Sequence, residues 1–354
     1  MSESIRQGLF RGAAWTLAMR WVLRLIGLVS VIILARLLTP ADLGLVAMAT
    51  LVTAFTANFS QLGAQQLLIR RRDINRDTIN AAWTIHVIQG FFVSAVVLLA
   101  APWAARYFGD PRVAPILYVL ALVPLVRGFR SIGPVLARRE FDFSPDFLTQ
   151  VIGSLAVFCI TVALVLWLRD YWAIVYGSVL GAMVAVAASY RLHPYRATPS
   201  IRHLGPYLRF AASIVPLRIA RFGNTRGGVL VAGGIASPAQ FGLFNLAFVL
   251  ADLLGKEMVD PLSRGLYPGY SRLGSDRARL AGVFAEVLNA CAALLLPAGV
   301  GLALVASDFV TVVLGQQWQG SVPFIRWLAL AGALGGINYL MSMHILIAAG
   351  HEAR

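Results

Sequence analysis

Arg20-Trp-Val-Leu-Arg24, the apolar run Leu25 to Leu38, the turn Thr39-Pro40-Ala41-Asp42 and the restart Leu43-Gly44-Leu45 decide how this chain folds. Two arginines four residues apart share one face of a helix that is otherwise long and apolar enough to cross a bilayer. The pattern returns at an offset of 198: Arg218 matches Arg20, and Ser237-Pro238-Ala239-Gln240-Phe241-Gly242-Leu243 matches Thr39 to Leu45. The chain reads as an internal duplication in which each half opens on a cationic helix.

Composition sets the class. With 58% hydrophobic and 13% charged residues and a mean hydropathy of +0.74 over 354 residues, the expectation is an all-α, polytopic helical membrane protein. The net charge of +14 is almost wholly arginine, since Lys256 is the only lysine. Cys159 and Cys291 both fall inside apolar runs, so the sequence suggests no disulfide framework and no metal site, and no cofactor is expected. The polar start Met1 to Arg11 leads into a span of full length and reads as part of a retained first helix.

Ten apolar runs reach the ~20 residues that a membrane crossing takes. They lie near 13–38, 43–62, 81–104, 113–133, 146–168, 171–190, 207–235, 239–260, 281–306 and 322–349. With the N-terminus placed in the cytoplasm, the inner connections hold twenty of the thirty basic residues, including Arg70 to Arg72, Arg127, Arg130, Arg138 and Arg139. Only Arg36, Arg106, Arg112 and Arg169 fall outside, so the positive-inside rule predicts both termini in the cytoplasm. Most of the basic charge is then a topology signal, and a nucleic-acid partner is not expected.

The repeat extends past the hairpin, because Gly109, Pro115 and Ala121-Leu122 are echoed by Gly315, Pro323 and Ala329-Leu330. Spans 1 to 4 thus correspond to spans 7 to 10. This predicts an N-terminal lobe over 1–190 with six spans, a cytoplasmic linker over 191–206 with Pro194, Pro199 and Pro206, and a C-terminal lobe over 207–354 with four. Counterparts of spans 5 and 6 would fall at about 351–396, so the second lobe is read as truncated. Parallel repeats of this kind place two lobes around a central cavity.

Four stretches resemble a known family: Ala35 to Thr50, Leu68-Ile-Arg-Arg-Arg72, Tyr267-Pro-Gly-Tyr-Ser-Arg-Leu273 and Leu314-Gly-Gln-Gln-Trp318. Together they resemble the polysaccharide-export flippases of the colanic acid exporter branch, within the multidrug/oligosaccharidyl-lipid/polysaccharide exporter superfamily. The resemblance implies a bacterial inner-membrane protein that moves an undecaprenyl-diphosphate-linked oligosaccharide to the periplasmic leaflet. Membrane lipids, and a polysaccharide polymerase or export machinery, are the partners it implies. The sequence departs from the family in having ten spans rather than at least twelve. It also has Gly227-Gly228 where an acidic residue often precedes the second hairpin.

Arg20, Arg24, Arg218, Arg221 and Arg226 are the candidate substrate-binding residues. An arginine facing lipid costs ~2.5 to 3.5 kcal/mol even on a lenient insertion scale, so something must offset it. Snorkelling to the headgroups is one answer, best suited to Arg20 and Arg218 near their helix starts. Lining a water-filled path is the other, and guanidinium forks there would suit diphosphate oxygens. For Asp252 with Lys256 one turn on, an ion pair and a coupling role both stand. His86 and Glu286 complete the coupling candidates, with helix packing and an interfacial position as their plainer readings. Asn338 and His344 on the last span are weaker candidates of the same kind.

Three other functions compete with this reading. A membrane enzyme of glycan assembly calls for a sizeable outer loop with carboxylates or histidines, and the outer connections here are short. A cation-coupled drug exporter of the same superfamily favours carboxylates in its cavity, where these helices offer arginines. An inactive truncated fragment is the third.

Overall fold

The computed structural model describes residues 3–60, 68, 75–140, 142–200, 204–252 and 277–348, and among these every regular element is helical. The helices are Glu3–Leu37 (α1), Pro40–Ser60 (α2), Arg76–Phe108 (α3), Val113–Leu120 (α4), Leu122–Gly128 (α5), Gly133–Arg139 (α6), Ser144–Leu168 (α7) and Trp172–Arg191 (α8). They continue with Leu204–Ile235 (α9), 238–252 (α10), Arg277–Phe309 (α11) and Val322–Ala348 (α12). Each of the ten expected runs meets a helix. Seven helices among the described residues are long and apolar enough to cross a membrane, and the bent series α4 to α6 makes an eighth. The chain is a multi-pass helical membrane protein.

Two expected spans stand apart from those eight for physical reasons. In α9, any ~20-residue stretch that could fill the apolar core carries at least three of Arg209, Arg218, Arg221 and Arg226. Its helix forms, but its composition is not that of a lipid-facing rod. The α10 run continues past residue 252, outside the described residues.

The expected fourth span is broken. Pro124 has no N–H for the Leu120 carbonyl, and the helix is interrupted at Ala121. It unwinds again over 129–132 before Gly133-Pro134 starts α6, and the pieces meet at 49°. Beside the break, α3 and α5 touch backbone to backbone. A Cβ on Gly90 would lie 2.8 Å from the Pro124 carbonyl oxygen, and one on Gly128 would lie 3.1 Å from the Gly90 Cα. Only glycine permits that approach.

The duplication is visible in the local geometry. At the first hairpin the Thr39 N–H donates to Asp42 Oδ2 (3.1 Å), and the Asp42 N–H donates to Thr39 Oγ1 (3.3 Å). At the second, the Ser237 N–H donates to Gln240 Oε1 (3.1 Å), and the Gln240 N–H donates to Ser237 Oγ (3.4 Å). Both are reciprocal capping boxes with proline at the first helical position, so each satisfies helix-start donors in the same way. Gly109 and Gly315, matched in the repeat, are the two described glycines at positive φ, 67° and 109°. A side chain there would be strained.

By its internal contacts the chain forms two compact units, Met1–Phe241 and Gly242–Arg354. In the first, α7 and α8 form a tight pair through small residues: a Cβ on Gly153 would be 2.7 Å from Ala185 Cβ, and Gly181 lies against Val157. Trp15 anchors α1 on α7 by an edge contact with Phe147 at 4.8 Å. The repeat's second opening helix, α9, also packs within this unit. Phe222 meets Phe55 of α2 at 5.2 Å, and the Tyr107 hydroxyl of α3 donates to the Leu230 carbonyl at 3.2 Å.

The segment 192–200 is pinned onto α3. Asn80 Nδ2 donates to Thr198 Oγ1 (2.7 Å), while its Oδ1 accepts from the Thr198 N–H (3.2 Å) and the Tyr195 hydroxyl (2.9 Å). One turn on, Thr84 Oγ1 accepts from the Ser200 N–H (2.8 Å). Asn80 is 6% exposed, so truncating it strands several buried polar groups. Asn80→Ala is expected to destabilise the first unit by about 2 kcal/mol and to quicken proteolysis within 192–200. Thermal unfolding at unchanged cleavage rate would show the segment is held by other contacts.

At the opposite end of this unit, Asp110 receives the Arg112 guanidinium at 2.7 Å and 3.0 Å. That hydrogen-bonded guanidinium lowers the Asp110 carboxyl from its ordinary 3.8, against the smaller opposing effect of burial.

In the second unit Trp318 is fully buried, as are Leu314 and Ile325, so the Leu314-Gly-Gln-Gln-Trp318 stretch is a packing corner. Phe324 meets Phe244 edge-on at 5.8 Å. Cys291, Leu295 and Ala333 join α11 to α12, where a Cβ on Gly299 would lie 2.9 Å from the Ala329 carbonyl oxygen.

Candidate functional site

The exposed stripe of α1 is Trp21, Leu25 and Val29, one residue per turn, which is how a lipid-facing edge is built. Arg20 and Arg24 each precede a member of that stripe by one position, about 100° around the helix. Both are half-buried, and Nε of Arg24 is shielded by the protein. Their guanidinium groups therefore belong to a face other than the apolar edge. On α9, Arg218 and Arg226 stand one turn before and after buried Phe222 and are half-buried, while Arg221 is exposed. The five arginines are carried by two helices of one compact unit, α1 against α7 and α9 against α2 and α3.

The coupling candidates are scattered. Asp252 is half-buried at the last described position of α10, and its expected partner Lys256 lies outside the described residues. Glu286 is exposed on α11. The side chains of Asn338 and His344 also lie outside the described residues. His86 is half-buried on α3, where a cavity of about 20 Å³ is lined by His86, Arg130, Ser131, Pro134 and Asp146. Asp146 bridges two guanidinium groups there: Arg130 Nη2 donates to Oδ1 at 3.2 Å, and Arg138 Nη1 to Oδ2 at 3.4 Å.

Sequence reasoning counted Arg130 and Arg138 as topology charge and missed Asp146 and Asn80 altogether. An acidic residue in the first turn of a span, after a run of arginines, was the available signal for Asp146. Nothing local signalled Asn80, whose partner Thr198 is 118 residues away. Among the described residues no cluster of metal-ligating side chains occurs.

Residues 33–323 match the family model described as "Polysaccharide biosynthesis protein". The chain belongs to this family. Among similar proteins are the lipopolysaccharide biosynthesis protein WzxC of Escherichia coli K12, 25% identical over 95% of this chain and 69% of that one, and the succinoglycan biosynthesis transport protein ExoT of Rhizobium meliloti, 24% identical over 86% and 62%. The teichuronic acid biosynthesis protein TuaB of Bacillus subtilis is 21% identical over 94% and 69%. In fold, the chain resembles the lipid II flippase MurJ in an inward closed conformation, with a TM-score of 0.64 at 11% identity, covering 95% of this chain and 78% of that one. The family match encloses the first hairpin, the break, α9 and the Trp318 corner.

Proposed function

We propose that the protein is a flippase that carries an undecaprenyl-diphosphate-linked oligosaccharide across the bacterial inner membrane by alternating access, with its N-terminus in the cytoplasm. The supporting observation is the placement of guanidinium groups within α1 and α9, off the lipid-facing stripe of α1, in a chain of this family. A diphosphate offers several acceptor oxygens close together, and arginine presents paired donors to them. Arg20, Arg24, Arg218, Arg221 and Arg226 bind the diphosphate in this account, and the sugars ride in water beyond it. The names of WzxC, ExoT and MurJ, which speak of lipopolysaccharide biosynthesis, succinoglycan transport and lipid II flipping, agree with that reading.

The work is movement and not bond chemistry, so no catalytic residue is assigned. Asp252 with Lys256, Glu286 and His86 are the groups through which an ion gradient would act. The repeat halves 1–190 and 207–354, joined by 191–206, are the proposed functional lobes. A polysaccharide polymerase or export machinery would receive the flipped lipid.

Reconstitution tests the reading. Vesicles holding the 354-residue protein and a lipid-linked oligosaccharide should expose inner-leaflet glycan to an added, membrane-impermeant glycosidase faster than protein-free vesicles do. Equal rates in the two preparations would refute it.

A further inference from the structure

We propose that Arg127, next to Arg130 and to the exposed rings of Phe91 and Phe129, binds the phosphate of an anionic phospholipid at the end of the broken span. The ground for it is charge that the protein leaves unmatched. Three arginines gather at the break: Arg127 in the last turn of α5, Arg130 in the 129–132 stretch and Arg138 on α6, with Arg130 close enough to be repelled by both others. One carboxylate serves them. Asp146 divides its oxygens between Arg130 at 3.2 Å and Arg138 at 3.4 Å. Arg127 is left out: among the described residues its guanidinium makes no hydrogen bond and no ion pair, and it is exposed. The other charges at this end leave it so. Arg139 donates to the Leu68 carbonyl, Asp142 accepts from the Ser144 N–H and hydroxyl, and Glu140 is exposed beyond the far end of α6.

What stands beside Arg127 is an apolar surface. Ile88, Phe91 and Phe92 are exposed on one face of α3, at the i, i+3, i+4 spacing of a lipid-facing edge. Phe129, two residues after Arg127, is exposed as well and meets Phe91 edge-on at 6.0 Å. These groups are fixed in place. Gly128, between Arg127 and Phe129, lies against the backbone of Gly90 and His86, and the Phe129 carbonyl accepts the Tyr190 hydroxyl at 2.8 Å. An arginine that merely snorkels needs no such surroundings. Here paired donors for phosphate oxygens adjoin aromatic rings on which acyl chains can lie.

Charge sign selects the lipid. The three guanidinium groups outnumber their carboxylate by two, so a zwitterionic headgroup brings its own cation into a positive field, and an anionic one does not. Size decides where the phosphate goes. The cavity beside Arg130, about 20 Å³, holds no more than a water molecule, so the phosphate is bound at the surface by exposed Arg127. The inference does not rest on the identity of the cargo, whose diphosphate is assigned to arginines of α1 and α9.

Native mass spectrometry of the full chain in detergent, titrated with phosphatidylglycerol and with phosphatidylcholine of the same acyl chains, is the test. The first phosphatidylglycerol should bind about tenfold more tightly than the first phosphatidylcholine, and Arg127→Gln should remove most of that preference. Arg191→Gln is the matched control. Arg191 is exposed at the last residue of α8, whose Ser189 hydroxyl accepts the Ser131 N–H of the same break, so the control loses the same charge at the same end. It should bind both lipids as the wild type does. In Arg127→Lys, which keeps the charge without the planar fork, the preference should fall part of the way. No preference in the wild type, an undiminished one in Arg127→Gln, or an equal loss in Arg191→Gln overturns the proposal. Should Arg127→Gln not fold, Arg127→Lys decides, and an undiminished preference there overturns it. Displacement of the lipid by millimolar inorganic phosphate would also overturn it, since the apolar surface would then play no part. So would loss of the preference in Arg24→Ala, Arg221→Ala, which would place the bound lipid in the cargo path.

Discussion

Replacing Arg24 and Arg221 together by alanine is expected to lower glycan export at least about 100-fold while both helices still insert. Each charge-assisted hydrogen bond to a phosphate oxygen contributes ~1.5 to 3 kcal/mol, and every 1.4 kcal/mol is a factor of ten. Two lost forks therefore exceed what any surface substitution does. Insertion should not suffer, because removing arginine from an apolar span removes a cost of ~2.5 kcal/mol or more. Lysine at both positions should restore only part of the activity, since it supplies charge without the planar fork. Export is to be read as accumulation of extracellular polysaccharide in cells lacking their own exporter. Full export by the double alanine variant would remove α1 and α9 from the substrate path.

The second large effect is expected at the helix crossing. In Gly128→Val the new Cβ would stand 3.1 Å from the Gly90 Cα and 3.1 Å from the His86 carbonyl oxygen, both of them backbone atoms that cannot rotate away. Overpacking ordinarily costs ~1 to 3 kcal/mol, and a clash with the α3 backbone at two points one turn apart belongs toward the top of that range. Gly27→Val on α1 is the matched control, because a Cβ there meets nothing within 4 Å. The expected result is a large fall in thermal stability for Gly128→Val and almost none for Gly27→Val, both measured by unfolding in detergent. Equal stabilities would mean that α3 and α5 part easily at this point, and the account of the bend would fail with them.

Much of this architecture is written in local sequence. Hydrophobic runs of membrane length and the paired turns Thr39 to Asp42 and Ser237 to Gln240 are local features, and capping boxes form from residues three apart. Gly109 and Gly315 likewise announced their corners at matched places in the repeat. The bend was less legible. Pro124 and Gly133-Pro134 stand in the sequence, but prolines are tolerated inside helices of this kind, as Pro102 in α3, Pro216 in α9 and Pro297 in α11 show. The break follows from Gly128 lying against Gly90 as much as from proline, and that contact joins residues 38 apart.

The polar cluster was invisible for the same reason. Arg130, Arg138 and Asp146 come from three successive elements that the bend folds together, and the topology rule had already accounted for the arginines. The linker offered three prolines and an expectation of a plain connection, whereas Asn80 and Thr84 hold 195–200 along the start of α3. Charge sign and apolar length are readable from the chain alone. Which buried polar group meets which is decided by packing, and packing is not local.

Binding of the lipid headgroup decides whether the arginines of α1 and α9 hold the diphosphate. Native mass spectrometry of the purified protein, titrated with undecaprenyl-diphosphate-linked oligosaccharide and with a neutral lipid carrying the same sugars, separates the phosphate contribution from the rest. The wild type should hold the diphosphate lipid at least about tenfold more tightly, and the preference should vanish in the Arg24→Ala, Arg221→Ala variant. Equal affinity for the two lipids in the wild type, or an undiminished preference in the double variant, would contradict the assignment of these arginines to the diphosphate.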